Sequence, residues 1–188
     1  MLKIKLFILI LVASTIPAFA NNLPPSNYVD EGACPFEGCA YKEWTVNKKT
    51  NFYADRNPKS PTVFKADKGE VVTGLTGVVV TTRLGKAKVL KETTVGKENI
   101  PVKPGDIIYV ISYSMESMKL WVNGHFIDNY VEMIPINEKN ISADYAENLA
   151  VKEIREPKTE WWVKVQNEKG QIGWTLVNDN FDHMDSLE

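Results

Sequence analysis

Short runs of β-branched and aromatic residues, each ended by a turn signal, fill the chain from Glu43 to Leu176. The strongest turn signal is Asn123-Gly124, between Leu120–Val122 and His125–Ile127, because this dipeptide suits the two-residue turn of a β-hairpin. Runs this short and this often interrupted are typical of small barrels and sandwiches. The sequence therefore predicts an all-β fold.

One segment departs from the strand pattern. Ser142–Lys152 has Tyr145 and Leu149 four residues apart and a serine that can cap a helix, so it predicts a short helix, although Leu149–Ile154 could also form a strand. The other predicted elements are strands, at Glu43–Val46, Thr50–Tyr53, Thr62–Lys65, Glu70–Leu75, Val78–Thr82, Lys86–Thr94, Ile107–Tyr113, Leu120–Val122, His125–Ile127, Glu160–Gln166 and Gln171–Leu176.

The first twenty residues have the pattern of a secretory signal peptide. Lys3 and Lys5 precede the apolar run Leu6–Val12, and Ala18-Phe19-Ala20 supplies small residues at a cleavage site. The apolar run is too short to cross a bilayer, which needs about 20 residues. We therefore expect cleavage near Ala20, a secreted or periplasmic mature chain, and no membrane insertion of that chain.

The charge balance disfavours nucleic acid as a partner. The chain has 24 acidic and 22 basic residues, and the predicted cleavage removes two lysines, so the mature chain carries a formal net charge of −4. Nucleic-acid binding depends on clustered positive charge, which this composition does not suggest. With 44% hydrophobic and 24% charged residues the chain is expected to fold rather than stay disordered.

Several segments follow one another in an order typical of one family: an opening strand, a Pro-bearing loop, a glycine turn into a valine-rich strand, and a closing tryptophan hairpin. They are Trp44-Thr45-Val46, Asn51-Phe52-Tyr53, the loop Asp55–Pro61 (the arm loop), Lys68–Leu75, Lys103–Val110, Trp161–Val165 and Gly170–Thr175. This order resembles the bacterial SH3-like (SH3b) domain family over most of Glu43–Val177.

The resemblance implies one or two small SH3-like β-barrels, with the short helix between strands of the second unit. The expected division is a signal peptide at 1–20, an extended segment with a disulfide loop at 21–42, one unit at 43–92, a second at 93–178 and an acidic tail at 179–188. Only one closing hairpin is visible, after Gly170. Two complete barrels, or one barrel with an elaborated partner that shares the last hairpin, both remain open.

The resemblance also implies a function. Such domains are non-catalytic modules of the bacterial cell envelope, so we expect the chain to bind cell-wall peptide (peptidoglycan) or a protein partner without a cofactor. The alternative is a structural or regulatory envelope protein that acts through a surface between the units or in a dimer. A cell-wall cysteine hydrolase is a third, less favoured interpretation.

Cys34 and Cys39 are the only cysteines, and an exported chain meets an oxidising compartment, so the pair predicts a disulfide. A redox pair would want a CxxC spacing at a helix start, which is not present. The cysteine hydrolase would need a reactive thiol near a histidine. His125 follows a turn and His183 lies in the acidic tail, so neither is placed by the sequence near a cysteine. The two histidines are also too far apart in the chain to show a metal-ligand spacing.

Aromatic residues supply the remaining signal. Alternation along Glu160–Gln166 places Trp161 on one face, where we expect it, like Trp174, to pack in the core, and Trp162 on the other, either covered by the second unit or exposed. The SH3-like resemblance puts a ligand groove beside the arm loop. A tyrosine or tryptophan near a carboxylate there can stack on a peptide and pair with its amine. The candidate ligand-binding residues are Tyr53, Asp55, Tyr113, Trp121 and Trp162.

Overall fold

The computed structural model describes residues 24–113, 117–137, 139 and 141–186, so the predicted signal peptide at 1–20 lies outside the described residues. The fold is all-β with one short helix, which confirms the predicted fold class. The elements are β1 (Tyr28–Glu31), β2 (Glu43–Val46), β3 (Thr50–Tyr53), β4 (Thr62–Ala66), β5 (Val71–Arg83), β6 (Gly85–Val89), β7 (Thr93–Val95), β8 (Ile100–Val102), β9 (Ile107–Tyr113), β10 (Met118–Val122), β11 (His125–Asn129), α1 (Ala143–Asn148), β12 (Val151–Arg155), β13 (Lys158–Asn167), β14 (Ile172–Leu176) and β15 (Phe181–Asp182).

The first sheet is built from strands at both ends of the described chain. Its order is β15-β2-β5-β13-β14-β3-β4, with β1 also paired to β5, and it curls into a half-barrel. The long strand β5 is its centre, because β13 runs antiparallel along nearly its whole length, from Arg83 opposite Lys158 to Val72 opposite Asn167. The closing hairpin β13–β14 thus joins the strands of the first half of the chain.

The second sheet has the order β11-β10-β9-β6-β12, and the separate hairpin β7–β8 adds side chains to the same core. All of these strands lie between Gly85 and Arg155. They are therefore inserted between β5 and β13, whereas the resemblance led us to expect consecutive units at 43–92 and 93–178. Asn123 and Gly124 both have positive φ, 47° and 88°, as the predicted hairpin turn requires.

Each sheet has its own hydrophobic core. The first core includes Trp44, Phe52, Val163 and Val165, all fully buried. The second core is aliphatic and is made of Ala87, Val89, Val95, Ile100, Val102, Ile108, Val110, Leu120, Val122, Ile127 and Val151. Both cores follow the period-two alternation of their strands, which places every second residue on the core face.

The predicted strands Glu70–Leu75 and Val78–Thr82 are parts of one strand, so the break that the sequence predicts at Thr76-Gly77 is wrong, because β5 runs unbroken from Val71 to Arg83. The glycine serves close packing instead. A Cβ atom at Gly77 would lie 2.2 Å from the hydroxyl oxygen of Tyr41 and 2.5 Å from Nε1 of Trp161. A glycine inside a strand is thus required here by side chains that press against the backbone.

Both predictions for the segment after Ser142 are correct over different residues. Ser142 caps α1, and its Oγ accepts a hydrogen bond from the Tyr145 N–H at 3.3 Å. The helix ends at Asn148, and β12 follows from Val151 to Arg155. A helix of six residues gains little from propagation, so capping and the following strand determine where it stops.

The two ends of the described chain are held together near the predicted disulfide. Cys34 and Cys39 are bonded, with their Cα atoms 5.5 Å apart, which confirms the bridge. The Ala40 N–H donates to the Met184 carbonyl at 2.9 Å, and the Ser186 N–H donates to the Gly38 carbonyl. The expected acidic tail at 179–188 is therefore packed in part, since its Phe181 is 4% exposed and lies against Trp44 and Phe52.

Candidate functional site

A cavity of about 360 Å³ lies beside the arm loop, where β3, β13 and the end of β14 meet. Its walls include Tyr53, Pro58, Glu160, Trp162, Leu176 and Asn178. We call it the arm-loop cavity. Two of the predicted ligand-binding residues, Tyr53 and Trp162, are thus brought to one place although they are 109 positions apart in the chain.

Strand pairing sets the positions of the aromatic residues. Tyr53 ends β3 and lies directly opposite Trp174 of β14, and Trp162 lies directly opposite Leu176. Trp162 shares its face with Lys164, opposite the face that carries Val163 and Val165 into the core. Trp162 is nevertheless only 5% exposed, and among the described residues the cavity that it lines contains none of the second sheet.

The arm loop is fixed by its own hydrogen bonds. The Asp55 carboxylate accepts from the Arg56 N–H at 2.8 Å, and the Asp55 N–H donates to Ser60 Oγ at 3.2 Å. The Ser60 hydroxyl donates in turn to the Asn57 carbonyl at 2.8 Å. Asp55 therefore organises the loop that carries Pro58 to the cavity, with its carboxylate already engaged at the base of that loop.

Glu160 supplies a carboxylate to the cavity wall, and the sequence analysis did not select it. Its Oε2 accepts a hydrogen bond from Nε1 of Trp162 at 3.3 Å. Strand alternation could have found it, because residues two apart in a strand lie on the same face. Lys48 also lines the cavity and donates to the Asn178 carbonyl, so the cavity walls carry side chains of both charges.

Trp174 lies outside the core, contrary to prediction. It is half-buried, and two cations lie over its ring, Arg56 Cζ at 5.5 Å and Lys164 Nζ at 5.8 Å from the ring centre. Arg56 also pairs with Glu31, with Nη1 and Oε1 2.9 Å apart. Trp161 does pack against the first core, as predicted.

The remaining two predicted residues lie elsewhere. Tyr113 lines a second cavity between the two sheets and donates a hydrogen bond to Glu153 Oε1. Burial raises the pKa of the Tyr113 hydroxyl, and the hydrogen bond and charge of Glu153 raise it further. Trp121 lies on the second sheet, directly opposite Tyr109 and Phe126.

Within the described ranges, no cluster of three or more His, Cys, Asp and Glu side chains is arranged to hold a metal ion. Over the same residues no helix has the length and apolar character to cross a membrane. Comparisons with models of protein families, with curated proteins and with solved structures find no match for the chain. The features that bear on function are therefore the half-barrel, the arm-loop cavity and the disulfide.

Proposed function

We propose that the chain is an exported, non-catalytic SH3-like module that binds a short extended cell-wall peptide in the arm-loop cavity. The observation that carries this proposal is the convergence of Tyr53, Pro58 and Trp162 with the Glu160 carboxylate on one cavity of about 360 Å³. The half-barrel, its opening strand at Trp44 and its closing hairpin at β13–β14 support membership of the SH3-like class.

The chemistry of the cavity suits a peptide better than an uncharged ligand. Tyr53 is half-buried and offers flat apolar surface together with a polar atom, so it can contact both the side chains and the backbone of a peptide. Glu160 can pair with an ammonium group of the peptide, and Lys48, which also lines the cavity, can pair with a carboxylate. A cell-wall peptide carries both kinds of group along a short chain.

Two features support the exported and non-catalytic parts of the proposal. The amino-terminal pattern at 1–20 predicts secretion, and a disulfide between Cys34 and Cys39 persists in oxidising compartments. Both cysteines of the chain are in that bridge, so neither supplies the thiolate that a cysteine hydrolase needs.

The test is retention of the purified mature protein by isolated peptidoglycan sacculi. Tyr53→Ala should lower the affinity about tenfold or more, because an aromatic residue in a binding cavity commonly contributes over 1 kcal/mol. Tyr130→Ala is the matched control, since Tyr130 is 58% exposed and lies on the loop after β11. Retention no greater than that of an unrelated acidic protein would reject the cell-wall proposal.

A further inference from the structure

The outer face of the second sheet carries a continuous row of aromatic and basic side chains. Strand register places Trp121 directly opposite both Phe126 and Tyr109, Tyr109 opposite Lys86, and Lys86 opposite Arg155. Directly opposed residues of an antiparallel pair point to the same face. These five residues, which we call the aromatic-basic row, therefore cross the sheet from β11 to β12, a span of roughly 19 Å.

This face is opposite the one that forms the second core. Leu120 and Val122, on either side of Trp121, are both buried in that core, as are Ile108 and Val110 on either side of Tyr109. Phe126 is 45% exposed and its ring stacks on Tyr28, with ring centres 5.7 Å apart. The row is thus open to solvent at its aromatic end.

Cations are concentrated at the other end of the row. Lys86 Nζ lies 5.6 Å from the ring centre of Tyr109, and Arg155 Nε donates to the Leu84 carbonyl at 3.1 Å. Lys88 is exposed two residues beyond Lys86 on the same face, opposite Ile107. The acidic side chains Asp30 and Asp128 lie instead around Lys119, at the border with the first sheet.

We propose that the aromatic-basic row binds an acidic polysaccharide. Flat rings spaced across neighbouring strands stack well on the apolar faces of successive sugar rings, and the phenol hydroxyl of Tyr109 can bond a sugar hydroxyl. Lys86 and Lys88 supply positive charge for the carboxylates of uronic-acid sugars. The chain as a whole has more acidic than basic residues. The local positive charge of this site is what complements the negative charge of such a polymer.

A nucleic acid fits the face less well, although aromatic and basic side chains also bind single strands. Single-strand binding sites follow the phosphate backbone with a positively charged groove. Here the basic residues occupy one end of the row only, and the acidic residues Asp30 and Asp128 lie beyond its aromatic part. The phosphates of a nucleic acid are evenly spaced, so some of them would lie near Asp30 and Asp128 and be repelled. A polymer in which neutral and acidic sugars alternate can place a neutral sugar there.

The test is calorimetric titration of the mature protein with an eight-sugar hyaluronan fragment, in which glucuronic acid alternates with N-acetylglucosamine. We expect binding that weakens with added salt, an affinity at least about fivefold lower for Phe126→Ala, and a larger loss for the charge reversal Lys88→Glu. Lys88 is exposed, so its variant keeps the fold, which circular dichroism can verify. Tyr53→Ala should bind hyaluronan like the wild type, because the arm-loop cavity lies on the other sheet.

Three results would overturn the proposal. They are the absence of hyaluronan binding, equal affinities of the wild type and both row variants, and equal or tighter binding of chitohexaose or the oligonucleotide dT10. The neutral chitohexaose isolates the part played by charge, and dT10 represents the nucleic-acid alternative. None of these outcomes depends on whether sacculi are retained through Tyr53.

Discussion

At the scale of single residues, the hydrogen bond between Tyr113 and Glu153 makes stability depend on pH. The folded chain raises the pKa of Tyr113 above its ordinary value of about 10, first through burial and then through Glu153. The folded state therefore holds the hydroxyl proton more tightly than the unfolded chain does. The resulting stability is complete below about pH 10 and is lost as the pH rises through the raised pKa.

We therefore expect the free energy of unfolding to fall as the pH rises above about 10, and to fall less steeply in Tyr113→Phe. Urea denaturation at several pH values measures both slopes. Burial also raises the pKa of Tyr41, so the variant should retain part of the decline. Tyr130→Phe, at an exposed position, is the control. Identical slopes for Tyr113→Phe and the wild type would contradict the expectation.

The alternation of residues along a strand was sufficient to assign neighbouring residues to opposite faces of the sheet. It was not sufficient to predict which of these residues are buried, because burial also depends on what packs against each face. It separated Trp161 from Trp162 correctly, because strand geometry fixes that relation. It could not show that Trp162 is covered or that two cations lie over Trp174, since both depend on the arm loop and on the partner strand. Glu160 is a different case, because it lies two residues before Trp162 on the same face and alternation could have found it.

At the scale of elements, the unbroken strand β5 depends on Gly77. The Tyr41 hydroxyl, which donates to the Ala33 carbonyl, and the Trp161 ring both press against this position. Gly77→Ala should therefore lower the free energy of unfolding by about 1–3 kcal/mol, because its methyl group must displace one of them. Urea denaturation of the purified variant measures the loss.

A double variant separates this contact from the general cost of replacing glycine. Tyr41→Phe removes the oxygen that would lie nearest the new Cβ atom, so Gly77→Ala should cost less in that background than in the wild type. An equal cost in both backgrounds would show that Tyr41 does not limit the space at Gly77. The sequence predicted a break here, because glycine often marks a turn. A glycine that is needed for close packing against the backbone gives the same local pattern, so the sequence could not distinguish the two cases.

At the scale of the whole molecule, the second sheet is an insertion within the first. Local sequence patterns identified most strands, since they depend on residue type and on turns, but strand partners depend on contacts between distant parts of the chain. The pairing of β13 with β5 joins residues 75 to 95 positions apart, and no local pattern encodes it. The pairing of the closing hairpin with a strand of the first half of the chain could therefore not be predicted from local patterns.

The ends of the insertion are adjacent, because Arg83 of β5 lies directly opposite Lys158 of β13. Replacing residues 84–157 by Asn-Gly should join the two strands as a hairpin, since this dipeptide closes directly opposed residues. The first core keeps Trp44, Phe52 and Val163 in such a chain, and it loses only border contacts such as the hydrogen bond from Thr81 to the Ile111 carbonyl. We expect the shortened chain to unfold cooperatively.

The matched control is the fragment 21–92, which follows the boundary suggested by the sequence. It contains Trp44 and Phe52 but lacks β13, so Val163 and Val165 are absent from its core and β5 has an unpaired edge. An exposed edge and an incomplete core leave this fragment without a stable fold, and it should show no near-ultraviolet circular dichroism. The expectation would be contradicted if the fragment 21–92 folded and the shortened chain did not. The first sheet would then not need its closing hairpin, and the pairing of β13 with β5 would not be what stabilises it.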